Sequence, residues 1–288
     1  MLHKKFGLIS IIMAAYNAEK TIERAINSVL GQTYANFELL VVNDCSKDRT
    51  VELVKSISAT DGRVRLISNV KNSGVSYTRK HGLEEANGSW IAILDSDDAW
   101  APEKLEKQIE LQNKTNADLL FTGSAFMDSD GRPIDWYLHA PAEVTYRQLL
   151  KQNILSNSSA LVRKELYAKH YAVGDGMHED FAIWLSILKE GKKAYGVDEP
   201  LLIYRIAKSS KSGNKVKAAK MNWNTYRYIG LNPVEAVYYE CWYMIKNVIK
   251  YTNIKISGGV IQSNPHRKIY VVKFPTPALY GCKQWREA

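Results

Sequence analysis

The chain has 288 residues, 45% of them hydrophobic, enough for one large domain or two smaller ones with a sizeable core. Its net charge of +9 is uneven: residues 205–288 carry 15 Lys and Arg against 3 Asp and Glu, while the remainder is near neutral. Three cysteines give neither a disulfide framework nor metal-ligand spacing and fit a reducing compartment, and no apolar run approaches the roughly 20 residues of a membrane-spanning helix.

Leu8 to Met13 is a short apolar run, read as a buried strand rather than the core of a signal segment. Ala14 to Asn17 form the turn after it. Ile22, Ala25, Ile26, Val29 and Leu30 then keep helical spacing, closed by Gly31. Phe37 to Val42 is a second strand, ending in Asn43-Asp44-Cys45-Ser46. Val51, Val54 and Ile57 mark a helix, and Val64 to Ile67 a third strand. After Asn72-Ser73-Gly74 comes a helix to about Glu85, the turn Asn87-Gly88, and a strand from Trp90 to Leu94. Nearly continuous apolar strands alternating with helices imply a parallel sheet covered on both faces. Ligands of such sheets bind beyond the carboxyl ends of the strands, so Asn17, Asp44 and Asp95 are expected on one edge. Neither G-x-G-x-x-G after the first strand nor G-x-x-x-x-G-K-[ST] occurs, which removes the usual dinucleotide and P-loop devices.

The fourth strand runs into Asp95-Ser96-Asp97-Asp98. Three carboxylates this close resist ionising together, and a hard cation such as Mg²⁺ or Mn²⁺ relieves that cost. The blander reading is an acidic turn, with Asp98 capping the helix that Pro102 opens. Asp118 to Gly123 returns as a strand, residues 128–142 read as loop, Thr145 to Gln152 as a helix, Ser156 to Val162 as a strand and Lys164 to Lys169 as a helix. A Gly-rich stretch from Gly174 then delivers Glu179 and Asp180 to the first turn of a helix carrying Phe181, Ile183, Trp184, Ile187 and Leu188. The helix dipole favours acidic residues there without any catalytic role, so both readings stand on residues alone. Leu201 to Arg205 reads as a final strand and Ala207 to Lys220 as a Lys/Ser-rich loop. Residues 221–252 read as a helical stretch, aromatic and basic, suited either to a membrane interface or to packing on the domain. The basic tail calls for an anionic partner, a membrane surface or a nucleic acid.

Six segments in order resemble the family 2 glycosyltransferases, which have a GT-A fold. They are Ser10 to Asn17 with Ile22 to Tyr34; Phe37 to Thr50; Asn72-Ser73-Gly74 through Arg79 to Gly82; Asp95 to Asp98 with Trp100, Pro102, Lys104 and Leu105; Glu179-Asp180 with Trp184; and Tyr204-Arg205. Each is weak alone, but together they are specific and span residues 8–205. The resemblance implies an α/β, Rossmann-like, mostly parallel sheet flanked by helices over residues 1–205, with residues 206–288 as a basic, partly helical extension. It implies an inverting, metal-dependent transferase that moves a sugar from a nucleotide-diphosphate donor, UDP-sugar by expectation, to a hydroxyl of a glycan or lipid-linked acceptor in surface polysaccharide biosynthesis. Ala15, Tyr16, Asn17, Asp44, Arg79, Asp95 and Ser96 would bind the nucleotide sugar. Asp97 would hold Mn²⁺ or Mg²⁺, and Asp180, with Glu179 beside it, would be the general base. A cytoplasmic enzyme, in peripheral contact with the inner face of the membrane through its basic C-terminal region and without a nucleic-acid partner, follows by analogy. Alternatives are a nucleotidyltransferase on a similar crevice and a non-catalytic binding module. Two departures stand out: Ala15 replaces a usual proline, and Ala207-Lys208 stand where the family often has histidine, which makes Lys208 a candidate diphosphate ligand.

Overall fold

The computed structural model describes residues 6–174, 176–206 and 215–252. Asp175, Lys208 and residues 253–288 lie outside the described residues. The first half follows the expected rhythm: β1 (Ile9–Ala15), α1 (Ile22–Leu30), β2 (Phe37–Asn43), α2 (Thr50–Ser58), β3 (Val64–Ser68), α3 (Val75–Glu84) and β4 (Trp90–Ile93). Then come β5 (Ala99–Trp100), α4 (Lys104–Thr115), β6 (Leu119–Met127), β7 (Pro133–Leu138), β8 (Glu143–Val144), α5 (Tyr146–Lys151), β9 (Leu161–Arg163), α6 (Lys164–Lys169), α7 (Glu179–Lys189), β10 (Ala194–Arg205), α8 (Lys215–Tyr228) and α9 (Pro233–Thr252). The strands form one sheet in the order β3-β2-β1-β4-β9-β6-β10-β5, with β7 added to β6 and β8 to β10. β3, β2, β1 and β4 run parallel, as do β6 and β10, while β9 lies antiparallel between β4 and β6.

The alternation of side chains along each strand feeds two cores. Ile12, Leu40, Ile91 and Ile93 point to the face packed by α3, α5, α6 and α7. Ile9, Ile11, Met13, Leu39, Val41 and Ala92 point to the opposite face, under α1, α2 and α4. Each of these fully buried Ile, Leu, Val and Met side chains contributes about 1.5–3 kcal/mol before entropy is counted. Tyr226 of α8 and Ala236 of α9 belong to the same core as Phe181 and Trp184, so the beginning of the C-terminal extension packs on α7.

Gly82 lets α3 lie close on β1 and β2. A Cβ there would meet Ile12 Cγ2 at 2.7 Å and Val42 Cγ2 at 3.1 Å. Gly82→Ala is therefore expected to cost about 1–3 kcal/mol through overpacking, read as a lower urea midpoint with an unchanged m-value. An unchanged midpoint would show that α3 can back away.

Several sequence expectations need correction. Residues 128–142 are not all loop, because Pro133–Leu138 pairs antiparallel with β6. The final strand starts at Ala194 rather than Leu201. Ser156 to Val162 is not one strand: Asn157–Ser159 form a 3₁₀ turn and only Leu161–Arg163 is extended. The helix near Pro102 begins at Lys104. The 221–252 stretch is two helices, the first starting at Lys215, inside the expected loop.

Candidate active site

The carboxyl ends of β1, β2 and β4 open onto a cleft of about 770 Å³. Its walls include Tyr16 and Asn17 after β1, Lys47 and Asp48 after β2, Ser96 and Asp97 after β4, and Arg205 at the end of β10. The loops after β1 and β2 are tied together by main-chain N–H groups that donate to side chains. Asn17 N donates to Ser46 Oγ (3.0 Å), Lys47 N to Asn17 Oδ1 (2.9 Å), Ala18 N to Thr50 Oγ1 (2.8 Å) and Glu19 N to Asp48 Oδ2 (3.0 Å). Asn17 and Cys45 both adopt positive φ, 50° and 60°, a conformation uncommon outside glycine that these cross-links hold at the cleft wall.

Asp44, just after β2, does not line the cleft. It is 4% exposed, and its main-chain N–H donates to Ala15 O (2.9 Å). Its Oδ1 accepts from Asn69 Nδ2 (2.7 Å) and Ser73 N (2.8 Å), and its Oδ2 from Gly74 N (2.9 Å). The carboxylate thus anchors the Asn72-Ser73-Gly74 loop that starts α3. One further bond to Oδ2 is within its capacity. Ala15 is buried beside it and presents backbone only.

Arg79, on α3, is the strut of the site. Its side chain is 7% exposed and ion-pairs through Nη2 with Asp95 after β4 and through Nη1 with Glu179 at the start of α7. Asn157, with its amide oxygen turned toward Arg79, accepts from both Nη atoms at 3.1 and 3.3 Å. Ser158 Oγ accepts from Asp95 N at 3.2 Å. The 3₁₀ turn that carries Asn157 and Ser158 was not singled out in the sequence. Its signal was a run of polar residues inside apolar flanks, since buried polar groups must find partners. Arg79, expected near the nucleotide, has its guanidinium committed to these partners and does not line the cleft.

The Asp95 charge is close enough to raise the pKa of Asp97, Asp98 and Asp180. For Asp97 burial is the larger cause, and the neighbouring Asp95 adds to it. Arg24 Nη2 donates to Asp97 O at 2.9 Å, fixing that turn from α1. Asp98 does not cap a helix. It is 1% exposed, precedes β5 rather than α4, and accepts from Arg205 N at 2.9 Å, which ties β10 to the acidic turn. Burial, then its two acidic neighbours, hold its pKa well above the carboxylate range. Asp180 is pushed up to about 7, first by burial and then by Glu179, with Arg79 opposing. Of the two acids that open α7, Glu179 is spent on Arg79, whereas Asp180 has the pKa of a general base working near neutrality. Arg205, at the end of β10, donates from Nη1 to Ser129 O at 2.7 Å.

Residues 10–171 match the sequence profile of glycosyl transferase family 2. The chain is 39% identical over 222 residues to TuaG of Bacillus subtilis, assigned by name to teichuronic acid biosynthesis, covering 77% of this chain and 88% of that protein. It is 36% identical over 245 residues to the Escherichia coli UDP-Glc:alpha-D-GlcNAc-diphosphoundecaprenol beta-1,3-glucosyltransferase WfgD, covering 85% of this chain and 95% of that one. Among solved structures, the fold matches S. aureus TarS 1–349 in complex with UDP-GlcNAc at a TM-score of 0.65 and 18% identity, over 86% of this chain and 76% of that one. It also matches the mannosyltransferase PcManGT of Pyrobaculum calidifontis, in complex with GDP-Man and Mn2+, at 0.64 and 16%, over 89% and 77%. With its family profile, its relatives and its GT-A-like sheet in agreement, the chain belongs to glycosyl transferase family 2.

Proposed function

We propose that the chain is an inverting transferase that moves a sugar from a nucleoside-diphosphate donor, UDP-glucose or a related UDP-sugar, to a hydroxyl of a lipid-linked glycan in surface polysaccharide assembly. What carries the reading is one arrangement: a cleft at the strand ends with Asp97 on its wall, and Asp95 coupled through buried Arg79 to the α7 start that bears Asp180. The acceptor class rests on relatives named for acting on a diphosphoundecaprenol-linked sugar.

In this reading Tyr16, Asn17 and Ser96 border the donor, and Asp44 holds the loop beneath it and offers its remaining Oδ2 lone pair to the base. Asp180 takes the proton of the attacking hydroxyl as that oxygen closes on the anomeric carbon, and the nucleoside diphosphate leaves from the opposite side. One base and one displacement invert the centre; a retaining hydrolase would instead need paired carboxylates across the bond and water as acceptor. Arg79 engages Glu179 and Asp95 as ion-pair partners, which leaves Asp180, the other acid at the start of α7, to take the proton.

Asp97 would hold the divalent cation. Its crowding with Asp95 is the charge a cation relieves, and no group of three or more Asp, Glu, His or Cys converges as a metal cage among the described residues. A single carboxylate completed by donor phosphate oxygens suits Mg²⁺ or Mn²⁺. When bound, the cation neutralises charge on the departing diphosphate.

The test is thermal protection by a panel of nucleotide sugars with and without Mn²⁺. At least one UDP-sugar is expected to raise Tm only when Mn²⁺ is present, and Asp97→Ala is expected to abolish that rise. If no nucleotide sugar protects with metal, the donor assignment fails; if Asp97→Ala keeps the full rise, the metal assignment fails.

A further inference from the structure

We propose that the outward face of α9 docks on an anionic lipid bilayer. The helix carries two opposed stripes. Ala236, Tyr239 and Tyr243 pack against the core that holds α7. On the other side Val234, Tyr238, Cys241, Trp242 and Ile245 recur at helical spacing and are exposed, Val234 by 80% and Ile245 by 52%. Scattered exposed apolar residues need no explanation, but a continuous strip over three turns marks an interaction site.

The charges around the strip choose the partner. The acids of α9 are engaged elsewhere: Glu240 accepts from Asn222 Nδ2 at 2.6 Å, and Glu235 accepts from Asn232 N at 3.0 Å at the helix start. Cations flank it instead. Lys151 Nζ of α5 sits 5.1 Å from the Trp242 ring centroid, and Lys151 and Lys246 both line a groove of about 280 Å³ whose one acid, Glu143, is paired with Lys193. By sequence, residues 253–288 add 6 Lys and Arg against 1 acid directly beyond the helix. Aromatic rings at headgroup depth with lysines beside them are the chemistry of a bilayer interface carrying negative lipids. A second copy of the face would instead oppose lysine to lysine. No helix of the described residues is long and apolar enough to cross a membrane, so α9 would lie on the surface.

The inference stands on the surface of α9 and does not need the acceptor assignment. The test is flotation of the full-length chain with phosphatidylcholine vesicles and with vesicles that also contain phosphatidylglycerol. Binding is expected only with phosphatidylglycerol and is expected to weaken with salt. The double variant Val234→Glu/Ile245→Glu should lower the bound fraction at least about tenfold. Both positions are exposed, so its unfolding midpoint should stay put. Val70→Glu, at a fully exposed loop position away from α9, should bind as the parent does. Absence of binding by the parent chain, or equal binding by the double variant, would overturn the proposal. So would a parent dimer that the double variant turns into a monomer without any vesicle binding, which would make the strip a self-interface. Because flotation needs neither donor nor acceptor, its outcome is separate from that of the donor assay.

Discussion

Asp180→Asn is expected to lower kcat by about 10²–10⁴-fold while leaving the nucleotide-sugar Kd within a few-fold of the parent. The amide keeps the size and hydrogen-bonding reach of the carboxylate but cannot accept the hydroxyl proton. The pH profile adds a second signature. With its pKa pushed up to about 7 by burial and by Glu179, Asp180 is protonated and inactive below neutrality, so kcat/KM should rise with pH through about 7. The same shift has a stability consequence of defined sign. A carboxyl whose folded pKa lies above its unfolded value is favoured in the fold when protonated. Its ionisation therefore costs stability as pH rises from about 4 to about 7, and that cost is complete above pH 7. Asp180→Asn should thus stabilise the fold at pH 8 by up to about 4 kcal/mol, at about 1.4 kcal/mol per pKa unit, and have little effect at pH 4. Loss of donor binding in this variant would mean that Asp180 touches the donor rather than the acceptor. A variant with parental kcat would remove it from the base role altogether.

Arg79→Met is expected to be the most destabilising single change at the site, by about 3–5 kcal/mol in urea unfolding at pH 7. Asp95 and Glu179 come from positions 16 and 100 residues away from Arg79 in sequence, and both lose their counter-charge at once. Asn157 loses its partner as well. The exposures are unequal, 34% for the Asp95 side chain and 13% for Glu179, so most of the cost should come from Glu179. Arg79→Lys should recover only part, because one ammonium cannot reproduce the two-pronged contact of a guanidinium. Destabilisation below about 1 kcal/mol would show that the two carboxylates find water or each other through a shared proton, and that Arg79 is not what joins α7 to the β4 loop.

Much of the fold could be read from the chain because its first half is regular. Apolar runs such as Leu39–Val42 and a helix with Ile22, Ala25, Ile26 and Val29 on one face leave little choice of element. The second half hides its strands. β7 begins at Pro133 and follows the Asp128–Arg132 turn, and a strand that opens on proline beside such a turn resembles a loop until β6 pairs with it. The first part of β10 contains Gly196, Asp198 and Pro200, which read as breakers; the last two occur where the pairing with β6 shifts register between Val197 and Leu202. At the site, residue types pointed to chemistry, but burial divided the labour. Residue types alone do not separate Glu179 from Asp180, and only the family resemblance names Asp180 as the base; the placement of Arg79 engages the first and leaves the second. Residue types likewise present Asp95, Asp97 and Asp98 as one acidic turn, which the fold splits into an ion-pair partner, a cleft carboxylate and a buried acceptor for Arg205 N. For Asn157 and Ser158 the polar run inside apolar flanks signals only that partners are needed; which partners, Arg79 and Asp95 N, is set by the fold.

The configuration of the product tests the central claim most directly. The chain is incubated with Mn²⁺, the UDP-sugar that protects it best and a lipid-diphosphate-linked sugar acceptor, and the new linkage is assigned by proton NMR. Direct displacement by a single base predicts a β-linked product from an α-linked donor. An α-linked product, or release of the free sugar alone, would contradict the account.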